Sequence, residues 1–387
     1  MADGRALARR RATRLEPIAH LIVVTFGVCY ATLIVAPHSR TGSPGGLFLY
    51  DSVDYWQQAQ LPLSSIWHPH IDYTQGGLIP AFHVTGTMTF LEGWLARNLP
   101  ALNEFIWIFI FNYALLLFAL HSISQLAEQS GFASARIPRL LVLLNPFIVL
   151  NCVSLTKEIW ALALLPATLV AARKHAWLRV IVLVAILTCV REYYLVLALA
   201  FVLVGLRRFP PLLTSVGLSA ALGVLYSLSP NLDLTGFSRD RSQQLHQGSS
   251  ALLHHLASIQ SIPFGDLVAA PVILALNLLS PILSGHLYQS ITQSPYLVAT
   301  VASAAMSAIA IPVAWRRGHL RVDEPLAIAL FAFALLLTLY PINQYRYLLP
   351  VYPVLAVLAW GDRGSPAASH ASWRPITRDA TWKVRVA

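Results

Sequence analysis

Apolar residues in this chain run on without alternation. Long stretches of Leu, Val, Ile, Ala and Phe, interrupted by a polar residue or two, predict helices over about 18–36, 104–125, 139–155, 158–172, 176–190, 193–206, 211–228, 295–315, 324–342 and 347–361. Such runs approach the ~20 residues that cross a bilayer; the shorter ones need flanking aromatic and polar residues to complete the span. The fold class expected is therefore all-α: a polytopic integral membrane protein with about ten transmembrane helices. Residues 37–102 and 229–266 are polar enough to form two long outer loops. The first helix is too long for a signal peptide, and no small-residue cleavage site follows it.

One segment upsets the parity. Residues 267–285 (LVAAPVILALNLLSPILSG) are apolar enough to enter the membrane, but a single crossing would carry Arg316, Arg317 and Arg321 to the outside. A re-entrant or surface-lying helix is expected there, with Asn277 and Pro281 near the site. No internal repeat is visible, which leaves an inverted-repeat transporter unsupported.

Composition agrees with lipid as the solvent. Of 387 residues, 56% are hydrophobic and only 11% charged, against about 25% charged in a soluble domain. Cys29, Cys152 and Cys189 all lie in apolar runs, an odd count that argues against a disulfide framework and for small buried hydrophobes.

The net charge of +10 is explained by topology, not by nucleic acid. Twenty of the 27 basic residues sit in the N-terminal segment (Arg5 to Arg14), in short linkers (Arg136/Arg139, Arg173/Lys174/Arg179, Arg207/Arg208, Arg316/Arg317/Arg321) or in the tail from Arg363 to Arg385. Such loops stay cytoplasmic, so both termini are expected there: a basic segment 1–17, a membrane domain 18–361 and a basic tail 362–387. Anionic lipid headgroups suffice as partners for these charges.

The ionisable residues left over gather on the other side. Asp51, Tyr55 and Ala59 are spaced i, i+4, i+8 just after the first helix, with Asp54 on a neighbouring face. Lys157 and Glu158 occupy the tight outer turn between two apolar runs, and Arg191-Glu192 occupies the next one. Arg239 and Arg241 lie in the second outer loop, and Arg346, flanked by Tyr345 and Tyr347, opens the last run. Each has a plain reading: helix cap for Asp51, local ion pairs for Lys157 and Arg191, interfacial anchoring for the Tyr-Arg-Tyr stretch. Together they set several cations at one membrane face, as an anionic lipid phosphate or pyrophosphate requires, with an acid among them that can act as a base.

The pattern Asp51-x-x-x-Tyr55-x-x-x-Ala59 resembles the first-outer-loop motif of the GT-C glycosyltransferases that use polyprenyl-phosphate sugars, the aminoarabinose and protein O-mannosyl transferases among them. Gln344-Tyr345-Arg346-Tyr347-Leu348-Leu349-Pro350 is similar to an Arg-Tyr-Leu-x-Pro stretch in bacterial members, and Ser154-Leu155-Thr156-Lys157-Glu158 is similar to a turn found near that class and near polysaccharide polymerases. The chain departs from the best-known members in having Ser52, not a second acid, after Asp51. It also has no large soluble outer domain.

The resemblance implies a bacterial inner-membrane enzyme that moves a sugar, at the extracytoplasmic face, from a polyprenyl-phosphate donor to a glycan or lipid acceptor. Asp51, or Asp54 in its place, would be the general base. Lys157, Arg191 and Arg346 would hold the departing phosphate, with Glu158, Arg239, Arg241, Tyr55 and Tyr345 completing the site. Tyr55, Trp56 and Trp67 could stack on sugar rings or anchor at the interface. Some relatives use a divalent ion such as Mg²⁺ or Mn²⁺; here His68, His70 and Asp72 alternate, but no fourth ligand is evident and no metal site is assigned. The alternatives are a polysaccharide polymerase or ligase that relies on arginines, and a lipid or solute transporter without chemistry.

Overall fold

The computed structural model describes residues 2–37, 50–64, 86–190, 193–206, 259, 272, 275, 278–279, 295–321, 324–338 and 345–363. These are helical throughout apart from connections and one two-stranded ladder. Helix α1 (Ala2–Cys29) continues as a π-helical turn, Tyr30–Val35. Then come α2 (Tyr50–Gln58), α3 (Thr87–Asn98), α4 (Glu104–Gln129), strand β1 (Phe132–Ser134), α5 (Arg136–Leu143), α6 (Pro146–Cys152), α7 (Lys157–Arg173), α8 (Trp177–Val190) and α9 (Tyr193–Leu206). The chain ends in α10 (Pro295–Arg316), α11 (Pro325–Thr338), a 3₁₀ turn (Tyr345–Val351), α12 (Tyr352–Trp360) and β2 (Asp362–Arg363).

This is an all-α membrane protein, and its described residues do not make up ten spans. Among the described residues three helices are long and apolar enough to cross a bilayer: Leu15–Val35, Glu104–Gln129 and Tyr296–Arg316. The pair α6 and α7 makes a fourth only if counted together, and it is bent by 110°. The shortfall has a geometric cause. Helices α8 and α9 have the bounds the sequence suggests but only 14 residues each, about 21 Å at 1.5 Å per residue against a core of ~30 Å. The expected helix 211–228 lies outside the described residues.

The expected continuous helix 139–155 is broken twice. Asn145 accepts from the backbone of Phe147 at 3.1 Å and Ile148 at 3.2 Å, and Pro146 follows it at the first helical position. Together these end α5 and start α6, an N-cap signal that the apolar run concealed. Ser303 of α10 donates to the same Asn145 oxygen at 2.6 Å, pinning the break to a third helix. A bent pair of this kind is present at α6–α7; of the expected element at 267–285 four positions are described, all helical, with Leu278 buried, and the rest, Asn277 and Pro281 included, lies outside the described residues.

Helix α7 is the hub. From Lys157 to Ala172 it is buried except at the half-buried Trp160, as a helix apolar nearly all round must be, and α4, α8, α9 and the 3₁₀ turn pack on it. Around it, large apolar side chains face outward, Leu33 at 71% and Leu178 at 78% exposed. An apolar exterior on a packed bundle is a surface made for lipid. Cys29 is also exposed, while Cys152 is buried and Cys189 half-buried, so the expectation of three buried thiols holds only in part.

The basic clusters come together at one end. Arg139 pairs with Glu16, Arg173 donates to Ser130 at 2.7 Å and Lys174 to Gln125 at 3.2 Å. β1 and β2 form an antiparallel clasp, Phe132 opposite Arg363, and Arg317 donates to the Gly361 carbonyl beside it at 3.4 Å. Seventeen residues of α7, about 25 Å of helix, separate this basic end from the opposite one.

Candidate functional site

At the opposite end the four-residue break Val153–Thr156 joins α6 to α7. Thr156 is extended there, with φ −138° and ψ 146°, and caps α7 without a side-chain hydrogen bond. Lys157 and Glu158 open the helix, 5% and 6% exposed. Two charges held this far from water are costly to bury and mark a site more often than a surface.

Four segments meet on this break. From α2, Ser52, fully buried, donates to the Leu155 carbonyl at 2.8 Å. One turn on, the buried Tyr55 ring lies under the Lys157 ammonium, 4.9 Å from nitrogen to ring centre, a cation–π contact that strengthens with desolvation. The ring is therefore packed under Lys157 and does not stand open as a sugar platform; Trp56 packs on Phe105 of α4 at 5.0 Å. From α3, Gly93 is pressed against Ala59 and Leu155: a Cβ there would come within 2.7 Å and 3.0 Å of them. Gly86, at the start of α3, has φ 87°, a left-handed value that favours glycine. A Cβ on it would sit 3.6 Å from Lys157 Cε, and its N–H donates to the Val190 carbonyl at 3.3 Å. Thus the last residue of α8, next to Arg191, is tied to the same place. The 3₁₀ turn Tyr345–Val351 packs on α7 with Leu348, Leu349 and Pro350 buried.

Of the residues singled out from sequence, Tyr55, Lys157 and Glu158 are described in full. Asp51 and Asp54 are on α2 and Tyr345 and Arg346 on the 3₁₀ turn, but their side chains lie outside the described residues. Arg191, Arg239, Arg241 and the 67–73 stretch, with His68, His70 and Asp72, lie outside them altogether. Among the described residues no three His, Cys, Asp or Glu side chains cluster as metal ligands would.

Sequence reasoning missed Glu92. It reads as one acid in a long outer loop, yet it sits on α3, only 3% exposed. Its Oε2 accepts from the indole N–H of Trp160, on α7 one turn past Lys157, at 2.9 Å. Burial pushes its carboxyl up to about 8, against the opposing hydrogen bonds of Trp160 and Asn112. The signal available in the sequence was a lone Glu inside TMTFLEGWLA, a segment apolar enough to be helical.

The family model described as "PIG-U: GPI transamidase subunit PIG-U" matches residues 87–307, more than half of the chain. The chain belongs to the PIG-U family. Comparison with curated proteins and with solved structures gives no significant match. The PIG-U match begins at α3 and takes in Glu92, Asn112, Lys157 and Glu158; α2, with Asp51 and Tyr55, and the Arg346 turn fall outside it. It gives the resemblance to bacterial GT-C enzymes no specific support, and it sets the chain in a membrane-protein family named for a GPI transamidase subunit.

Proposed function

We propose that this protein acts on a phosphate-bearing lipid-linked glycan at the non-cytoplasmic face of the membrane, transferring a sugar from a polyprenyl-phosphate donor to a glycan or lipid acceptor. The reading rests on one observation: Lys157, buried at the start of α7, is held over a ring from α2, the helix that carries Asp51. In this scheme Lys157 takes the donor phosphate, with Arg191 and Arg346 from the adjoining segments, and stabilises the charge that develops as the bond to the sugar breaks. Asp51, or Asp54, removes the proton from the acceptor hydroxyl as it attacks the anomeric carbon. The face opposite the positively charged loops is the outer one by the positive-inside rule, which in a bacterial cell is the periplasmic side of the inner membrane.

Family membership favours a second reading, in which the protein binds a GPI-like glycolipid as a subunit and performs no sugar transfer itself. The match includes the Lys157 break and leaves out the Asp51 helix, as expected if glycolipid binding is the shared property. Mass spectrometry of envelope glycans and lipid-linked saccharides separates the two, comparing a strain lacking the protein with strains carrying wild type, Asp51→Asn or Lys157→Ala at equal abundance. Sugar transfer predicts that both variants fail to restore a missing residue and that a polyprenyl-phosphate sugar accumulates. Restoration by Asp51→Asn but not by Lys157→Ala transfers the case to the binding subunit.

A further inference from the structure

The break that precedes α7 has its acceptors satisfied and its donors left over. Asn112 of α4 donates to the Ser154 carbonyl at 3.0 Å, and Ser52 of α2 donates to the Leu155 carbonyl at 2.8 Å. The N–H groups that follow these carbonyls, those of Leu155 and Thr156, have no acceptor among the described residues, although Leu155 is fully buried and Thr156 only 3% exposed. The Thr156 hydroxyl is buried too, and it has no hydrogen-bond partner. Threonine in this position ordinarily turns its oxygen back onto the first turn of the helix. Here it does not, so the buried Ile159 N–H, third in the helix, is without that cap as well. Buried donors in this state are rare in folded proteins and need a reason.

We propose that Thr156, through its hydroxyl and N–H, forms with the first turn of α7 an oxyanion cradle that binds phosphate oxygens directly. The inference rests on the phosphate-binding role given to Lys157 above, and it adds the residue before Lys157 to that site. Three features favour an anion. A helix of 17 residues concentrates positive potential at its first turn, where main-chain N–H groups point at a ligand. Lys157 and Glu158 open that turn and balance each other in charge, so the surplus is the set of uncharged donors. A phosphate oxygen accepts without donating, whereas water brings two donors of its own, and the Ser154 and Leu155 carbonyls are already taken. Asn112 and Ser52 are the positioning residues in this arrangement, since they hold the break from α4 and α2.

The test uses the full chain in nanodiscs of neutral lipid, with undecaprenyl phosphate as the probe and inorganic phosphate as competitor. Thr156→Val keeps the shape and removes the hydroxyl. It should weaken lipid-phosphate binding about tenfold, the worth of one hydrogen bond to a charged group. Its thermal midpoint without ligand should stay level or rise, because a buried hydroxyl without a partner costs stability. Thr156→Ser should match wild type in both. Thr156→Ala, which also lacks the hydroxyl, carries the binding comparison should Thr156→Val fail to fold. The cradle is overturned if Thr156→Val binds within twofold of wild type, or if its midpoint falls together with binding, as a structural hydroxyl predicts. Loss of binding in Lys157→Ala with none in Thr156→Val leaves the phosphate reading standing and removes the cradle; the reverse keeps the cradle and removes Lys157. Inorganic phosphate competing as strongly as the lipid would keep the cradle and sink the lipid as its ligand. A wild type that binds neither overturns it.

Discussion

The two ends of the bundle treat their basic residues in opposite ways, although one acid, Glu324, is buried at the basic end too. At the basic end cations stay at the rim: Arg316, Arg317 and Arg321 are exposed, and Arg139, Arg173 and Lys174 reach neighbouring oxygens from half-buried or exposed positions. At the opposite end Lys157, Glu158 and Glu92 are all within the packed interior. Rim charges cost little to hold, and they set orientation in the membrane. Interior charges impose a desolvation penalty that folding alone gives no reason to accept. The contrast separates residues that say where the chain sits from residues that say what it does.

The largest test of that contrast is Lys157→Ala. Loss of a desolvated cation from a phosphate site is expected to weaken undecaprenyl phosphate binding by roughly 2–5 kcal/mol, about thirty-fold or more. An isotherm within twofold of wild type would make Lys157 a structural charge. Next come two glycines with the same steric role at opposite ends. Gly93→Ala drives a methyl into Ala59 and Leu155, and Gly361→Ala drives one into Val357 and Phe132. Each should lower stability by about 1–3 kcal/mol, read as a thermal midpoint in nanodiscs. Gly93→Ala should also impair binding because it prises α2 off the break, whereas Gly361→Ala should leave binding intact. If both impair it equally, the ends are not functionally distinct.

Glu92 gives an effect graded with pH. Its folded-state value is raised from 4.5 to about 8, so its contribution to stability is fully present below 4.5 and lost as pH rises through about 8. The slope in that window is at most about 1.4 kcal/mol per pH unit, and stability is flat beyond it. Glu92→Gln should lack the slope. A wild-type midpoint that does not change across the window would mean that the carboxyl is ionised where it sits.

How much of this was legible beforehand follows the same division. The membrane class and the basic end came from runs and charges, which composition records directly. The bounds of α4, α8, α9 and α10 match the apolar runs to within a few residues, because a helix in lipid needs little beyond continuous apolarity. The break at Asn145-Pro146 was missed because both neighbouring segments are apolar, although an Asn cap followed by Pro is a local signal. Helix α3 was hidden in a stretch read as loop, whereas the i, i+4, i+8 spacing and the cap reading of Asp51 had pointed to a short helix at α2. The meeting of Tyr55 with Lys157, 102 positions apart by their numbering, and of Glu92 with Trp160, 68 apart, depends on tertiary packing that no local pattern encodes. The pairing of Lys157 with the Asp51 segment was guessed from a shared membrane side, a condition necessary for contact but far from sufficient.

The smallest expected effect is at Arg139, and it is informative because it should be small. Its guanidinium pairs with Glu16 and reaches Ser124 at 3.3 Å, with 31% and 19% of the two paired side chains exposed. A pair so placed is screened by water and salt and contributes at most about 1 kcal/mol. Arg139→Gln should therefore shift the thermal midpoint slightly, less still at high salt, and leave lipid-phosphate binding unchanged. Arg136 beside it retains the local positive charge that fixes orientation. A loss of several kcal/mol, or one indifferent to salt, would show that the basic end also depends on a desolvated ion pair, and the contrast between rim and interior charge would fail.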